Sequence, residues 1–157
     1  MVARIRSLPP NASDAIFARS TIFHGSLMAA KRVLLVEDDS EILEVTALLL
    51  GHAGYEVLVA PDLASGIAIA LGQPGVNVVM ADMYLGDGQT GTSLIQTIRD
   101  SGLRIPIVLT SANDEASAPA RDMNVVFLPK PYGLRALLSA VALASAGKSE
   151  MQRPASN

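Results

Sequence analysis

Asp82 closes the apolar run Val78-Val79-Met80-Ala81, and its carboxylate is followed by Met83-Tyr84-Leu85-Gly86-Asp87-Gly88. A short run rich in β-branched residues reads as a buried strand, and Gly86 and Gly88 let the chain turn away. Three other apolar runs end on polar groups in the same manner. Residues 33–36 lead into Glu37-Asp38-Asp39, the run behind Pro106 ends on Thr110-Ser111, and residues 125–128 lead into Lys130-Pro131. In an open parallel sheet these groups project from one edge, where such sheets gather their chemistry. Three or more carboxylates crowded there repel one another unless a cation sits among them. Oxygen ligands without His or Cys suit a hard ion, and Mg²⁺ is the natural choice. Mg²⁺, a lysine ammonium and a hydroxyl around one carboxylate describe a site for a phosphoryl group.

The elements that must position these residues follow from the apolar pattern. Strands are predicted over residues 33–36, 56–60, 76–82, 105–111 and 125–128. A first helix, capped by Asp39 or Ser40, carries Ile42, Val45, Thr46 and Leu49 as its core stripe and stops near His52-Ala53-Gly54. Further helices are expected over 62–71, over 92–100 with Leu94, Ile95 and Ile98 inward, and over 132–146. A weak helix at 114–122 carries Pro119. Five strands alternating with five helices are the pattern of an α/β fold, a doubly wound parallel sheet with helices on both faces.

Composition narrows the function classes. The 157 residues suit one domain with some excess, half of them are hydrophobic, and there is no cysteine. That excludes a disulfide framework, thiol catalysis and a Cys-based metal site. The formal net charge is −3, and residues 31–147 hold seven Lys/Arg against thirteen Asp/Glu. An acidic domain of this kind argues against a general nucleic-acid binder. No run of about eighteen uncharged apolar residues is present, so no membrane insertion is expected. Arg4 and Arg6 precede no apolar h-region, so the start does not read as a secretory signal and a cytoplasmic location is expected. Residues 1–30, with Pro9 and Pro10 and at most a short helical turn over 14–23, read as a flexible extension whose arginines are solvated charges or a binding arm. An over-long start, with Met28 as the alternative, fits them equally. Residues 148–157 read as a disordered tail. His24 and His52 have no partners at useful spacing.

The ordered set of site residues resembles the receiver domain of bacterial two-component response regulators, the family of the chemotaxis regulator, over residues 31–146. The resemblance implies a flavodoxin-like five-stranded sheet in the order 2-1-3-4-5. It implies that Asp82 is the phosphoacceptor, and that Glu37 and Asp38 are the acidic pair, with Asp38 the direct metal ligand. The backbone carbonyl of Tyr84 would be the third protein ligand of Mg²⁺. Ser111 would hydrogen-bond the phosphoryl group, Lys130 would contact it, and Phe127 would be the aromatic whose rotation reports phosphorylation. A slip of one residue would exchange Ser111 with Thr110, and Phe127 reads equally as ordinary packing. The implied partners are a sensor histidine kinase or histidine phosphotransfer protein and a downstream protein target. With only residues 148–157 after the last helix, output is expected by protein contact, from a signalling domain that assists its own phosphotransfer and autodephosphorylation and is no enzyme otherwise.

Several departures from that family accompany the match. The loop after Asp82 reaches its later glycine at Gly91, one residue further than in the chemotaxis type, and Gly86 stands where proline is usual. Pro119 predicts a truncated or irregular fourth helix, which puts in question the usual dimer or output face. Tyr84 is bulky beside the path of the hydrolytic water, which predicts slow autodephosphorylation. The alternative reading is a pseudo-receiver, a phosphorylation-independent interaction module, against which the intact Glu37, Asp38, Asp82 and Lys130 argue. An aspartyl phosphohydrolase would place a second Asp where Tyr84 stands, and no Gly-rich nucleotide loop follows the first strand.

Overall fold

The computed structural model describes residues 30–151, with the backbone alone for 148–151. The expected extension, short of residue 30, and the tail beyond 151 lie outside the described residues. Strands β1 (Arg32–Val36), β2 (Glu56–Ala60), β3 (Val76–Asp82), β4 (Ile107–Ser111) and β5 (Val126–Pro129) form one sheet in the order β2-β1-β3-β4-β5. Every pairing is parallel. Helices α1 (Ser40–His52), α2 (Leu63–Gly72), α3 (Gly91–Asp100), α4 (Ser117–Asp122) and α5 (Leu134–Met151) make the crossovers, and a 3₁₀ turn (Asp114–Ala116) precedes α4. The doubly wound fold and its strand order are those expected.

Parallel strands covered on both faces become nearly continuous apolar runs, and their alternation sorts them between two cores. Val33, Leu35, Val78, Met80 and Val108 face Leu50 of α1 and Leu137 and Val141 of α5. Leu34, Val36, Val79, Ala81 and Leu109 face Leu94, Ile95 and Ile98 of α3, Ala70 of α2 and Ala120 of α4. Each fully buried aliphatic side chain contributes roughly 1.5–3 kcal/mol of transfer free energy, so the centre of the sheet is the rigid part of the molecule. Where β1 and β3 slip register between Arg32 and Val33, the Asn77 side chain accepts a 2.6 Å hydrogen bond from the Arg32 amide and closes the gap in the ladder.

Several features differ from those read in the sequence. The inward face of α1 is Leu43, Thr46, Ala47, Leu49 and Leu50, so Thr46 and Leu49 lie as expected, whereas Val45 is 56 % exposed. This helix is apolar on nearly every side, so periodicity does not fix its rotation. β4 starts at Ile107, because Pro106 has no amide to donate and offers only its carbonyl, to Val79. The last helix continues past residue 146 to Met151. The fourth helix is truncated as Pro119 predicts, to six residues after the 3₁₀ turn, with Pro119 in its first turn, where an amide hydrogen is not needed.

Gly91 opens α3 against the end of β3. A Cβ there would lie 2.5 Å from the Asp82 carbonyl oxygen and 2.7 Å from Leu109 Cδ1. Gly51, inside α1, has nothing within 4 Å of the same position. Gly91→Ala is therefore expected to destabilise the fold by about 1–3 kcal/mol through overpacking. Gly51→Ala should stabilise it by about 0.5–1 kcal/mol through helix propensity. Urea unfolding of the two variants checks the contrast, and equal effects would contradict it.

Candidate functional site

β1, β3, β4 and β5 all end at one edge, and their last residues bring the polar groups together. Lys130 Nζ donates to Glu37 Oε2 at 2.7 Å and to Asp82 Oδ2 at 2.9 Å. One ammonium thus joins the residue after β5 to carboxylates on β1 and β3. Glu37 is 2 % exposed, and its other oxygen accepts the Asp39 amide at 3.2 Å. Asp38 is exposed, which leaves it the freer of the pair toward a ligand. Asp39 caps α1, its Oδ1 accepting from the amides of Glu41 at 2.9 Å and Ile42 at 3.1 Å.

One oxygen from each of Glu37, Asp38 and Asp82 lies within 4.8 Å of the others. At that spacing each like pair costs roughly 3–4 kcal/mol for an effective dielectric near 20. Three carboxylates and one ammonium leave the cluster two charges negative, the deficit that a divalent cation removes. Oxygens on opposite sides of Mg²⁺ stand about 4.2 Å apart, so a small contraction brings the set to its size. The donor set fits Mg²⁺.

The loop after β3 is shaped around this cluster. Gly86, Asp87 and Gly88 all take positive φ, and the Gln89 amide donates to the Gly86 carbonyl at 2.8 Å. The Gly91 amide bonds the Met83 carbonyl and the Leu85 amide bonds the Gln89 carbonyl, so Tyr84 pairs with Thr90 as a bridge. In that antiparallel geometry the bonds fall to the neighbours and the Tyr84 carbonyl stays outside the ladder. A Cβ on Gly86 would stand 3.2 Å from Asp38 Oδ2. Glycine at this position lets the loop lie against the acid, a reason for the departure that the sequence did not reveal.

Ser111 is buried at the end of β4, and its Oγ accepts the Asn113 amide at 3.0 Å. The structure gives it no hydrogen bond to Asp82. Its carbonyl accepts the Lys130 amide at 2.8 Å, which sets Lys130 beside it. Thr110 is buried too and donates to the Ala81 carbonyl at 3.4 Å, so it serves the sheet. Phe127 is half-buried on the α3 side of the sheet, opposite Leu109 in the ladder. Sequence reading missed the contact of Tyr132, whose hydroxyl lies 3.2 Å from Thr46 Oγ1 on α1. Only an aromatic two residues after Lys130 hinted at it. Two surface hollows, one along α1 at Leu48 and one between Arg104, Val125 and Leu143, lie away from the carboxylates.

Burial pushes the Glu37 carboxyl above its ordinary value, and the nearby Asp82 charge adds to this against the pull of Lys130. Burial alone would lower Lys130, but its hydrogen bonds to Glu37 and Asp82 outweigh that and raise it. The two directions are compatible: Lys130 meets two anions, while Glu37 meets one cation and a like charge. A carboxyl raised in the folded state binds its proton more tightly there than in the unfolded chain, so stability falls as pH rises. In chelator, stability should therefore decline from about pH 4.5, the ordinary Glu value, upward through the raised value, and Glu37→Gln should flatten that decline. Urea midpoints across this range decide it, and an unchanged slope in the variant refutes it.

The chain and its fold are similar to known proteins. The response regulator receiver domain family matches residues 33–142. The response regulator protein FleR of Pseudomonas aeruginosa is 36 % identical over 124 residues, 77 % of this chain and 26 % of FleR. The uncharacterized transcriptional regulatory protein YbdJ of Bacillus subtilis is 28 % identical over 113 residues, 71 % of this chain and 49 % of YbdJ. The chain therefore spans between a quarter and a half of these relatives. A CheY-like response regulator receiver domain protein from Methanospirillum hungatei superposes with a TM-score of 0.66 at 27 % identity, covering 78 % of this chain and 99 % of that one. No helix among the described residues is long and apolar enough to cross a membrane. With the matched segment reaching from β1 into α5 and the fold agreeing, this chain belongs to the response regulator receiver domain family of two-component signalling.

Proposed function

We propose that Asp82 accepts a phosphoryl group from the phosphohistidine of a sensor histidine kinase or histidine phosphotransfer protein, and that the domain passes the signal on by protein contact. The observation that carries this reading is one lysine held 2.9 Å from Asp82 and 2.7 Å from Glu37, inside a cluster of three carboxylates. An Asp82 oxygen attacks phosphorus, a P–O bond forms, the P–N bond breaks, and its electron pair stays on the departing imidazole. Lys130 then moves its charge from the free carboxylate to the phosphoryl oxygens, and Ser111 turns its hydroxyl from Asn113 toward them. Asp38, Asp82 and the Tyr84 carbonyl, with Glu37 behind them, would hold Mg²⁺, which supplies positive charge to the transferring group. Phe127 fills the space that Ser111 vacates. Water later attacks phosphorus and releases inorganic phosphate, restoring the Asp82 carboxylate. The acidic balance of residues 31–147 favours a protein target over nucleic acid. The intact carboxylate–lysine set argues against a phosphorylation-independent pseudo-receiver.

Intact-mass spectrometry after incubation with acetyl phosphate tests this directly. Wild type is expected to gain one phosphoryl mass only with Mg²⁺ present, and Asp82→Asn to gain none. Folded wild type that binds Mg²⁺ yet takes no phosphoryl group from acetyl phosphate or a kinase would establish the pseudo-receiver instead. Tyr84, 52 % exposed and two residues from Asp82, is expected to obstruct the attacking water. Loss of the adduct after removal of phosphodonor should be slow in wild type and severalfold faster in Tyr84→Ala. A wild-type half-life of seconds would rule out the obstruction.

A further inference from the structure

Glu37 follows β1 and Lys130 follows β5, and two strands lie between them. At about 4.8 Å per strand this is a span of roughly 14 Å. A lysine stem of five bonds near 1.5 Å reaches at most roughly 6–7 Å. With roughly 5 Å more from the Glu37 stem and the 2.7 Å of the contact itself, both side chains must be nearly fully extended toward each other, so the contact depends on where the segment after β5 is held. On β4 it is tied by the Lys130 amide to the Ser111 carbonyl at 2.8 Å. A second tie lies deeper. Tyr132, two residues after Lys130, packs on the α1/α5 core, and its hydroxyl meets Thr46 Oγ1 at 3.2 Å.

Thr46 is 2 % exposed in the middle of α1. Two other helical hydroxyls bond back to their own helix. Thr97 donates to the Ser93 carbonyl and Ser145 to the Val141 carbonyl, each at 2.9 Å. Among the described residues Thr46 instead spends its hydroxyl on Tyr132, although a turn-back bond is the local alternative for such a side chain. The contact joins the helix that begins beside the carboxylates to the segment that carries the ammonium. Lys130–Glu37 bridges the same two parts at the top of the sheet, so the two links run side by side. Burial raises the Tyr132 hydroxyl above its ordinary value, which keeps it protonated and able to hydrogen-bond near neutral pH.

We propose that Tyr132 is a positioning residue for phosphotransfer: held on Thr46, it fixes the segment bearing Lys130 so that the ammonium reaches the phosphoryl group on Asp82. This rests on the phosphoacceptor reading of Asp82. When Lys130 gives up Glu37 for the phosphoryl oxygens, the upper link is lost, and the Tyr132–Thr46 bond keeps the segment from relaxing toward the β5 edge. Tyr132 touches no reacting atom.

The test is the initial rate of adduct formation with acetyl phosphate at saturating Mg²⁺, with Mg²⁺ affinity measured by calorimetry on the same proteins. Tyr132→Phe and Thr46→Val should each slow phosphorylation about three- to tenfold, the worth of one hydrogen bond. Thr46→Ser, which keeps the hydroxyl, should stay near wild type. Mg²⁺ affinity should change less than twofold throughout, and Tyr132→Phe/Thr46→Val should be no slower than its slower parent. Wild-type rates in Tyr132→Phe, failure of serine to rescue, or rate losses that follow Mg²⁺ affinity would overturn the proposal. Wild type without any adduct would instead overturn the reading of Asp82, and the proposal with it.

Discussion

A single ammonium shared by two carboxylates holds the working edge of this domain together. Lys130 lies 2.7 Å from Glu37 and 2.9 Å from Asp82, with all three side chains largely withdrawn from water. Breaking such a group by removing one member leaves an uncompensated buried charge, which typically costs several kcal/mol. Keeping it requires the ends of β1, β3 and β5 to stay within about an ångström of their places. The two aliphatic cores supply that rigidity. The chain concentrates its least deformable packing beneath its least comfortable electrostatics.

The cluster also carries an imbalance that is useful in itself. Three carboxylates meet one cation, so the metal-free state is strained by like charge while remaining fully hydrogen-bonded at Glu37. A divalent ion at the cluster would relieve that repulsion. The buried hydroxyl of Ser111 accepts the Asn113 amide and so carries no unsatisfied cost.

Most of the edge was legible in the residues. β3 ended at Asp82 as read, because a strand buried on both faces is an unbroken apolar run and its first carboxylate marks the exit. Asp39 was legible as a cap from its place before a helical pattern. The failures have equally local causes. α1 is apolar almost all round, so Val45 could be assigned inward although it faces solvent. The boundary of β4 moved because proline withholds an amide. The double engagement of Glu37, the contact of Gly86 with Asp38 and the tie of Tyr132 to Thr46 join residues up to 93 positions apart, and nothing in local spacing encodes them. Local pattern specifies elements and exits; the fold alone decides which exits touch.

The sheet is mechanically lopsided about its working edge. β1 and β3 carry ladder neighbours on both sides, whereas β5 is bonded only to β4 through four residues and is flanked in sequence by the shortest helix. Displacing the end of β5 breaks bonds along one side; displacing β1 or β3 breaks them along two. On ladder bonding alone the β5 border is therefore the more compliant one, and the tie of Tyr132 to Thr46 braces it. The carboxylates stand on the stiff centre of the sheet and the lysine on its border, so the order of the strands sets which side of the site yields first under load.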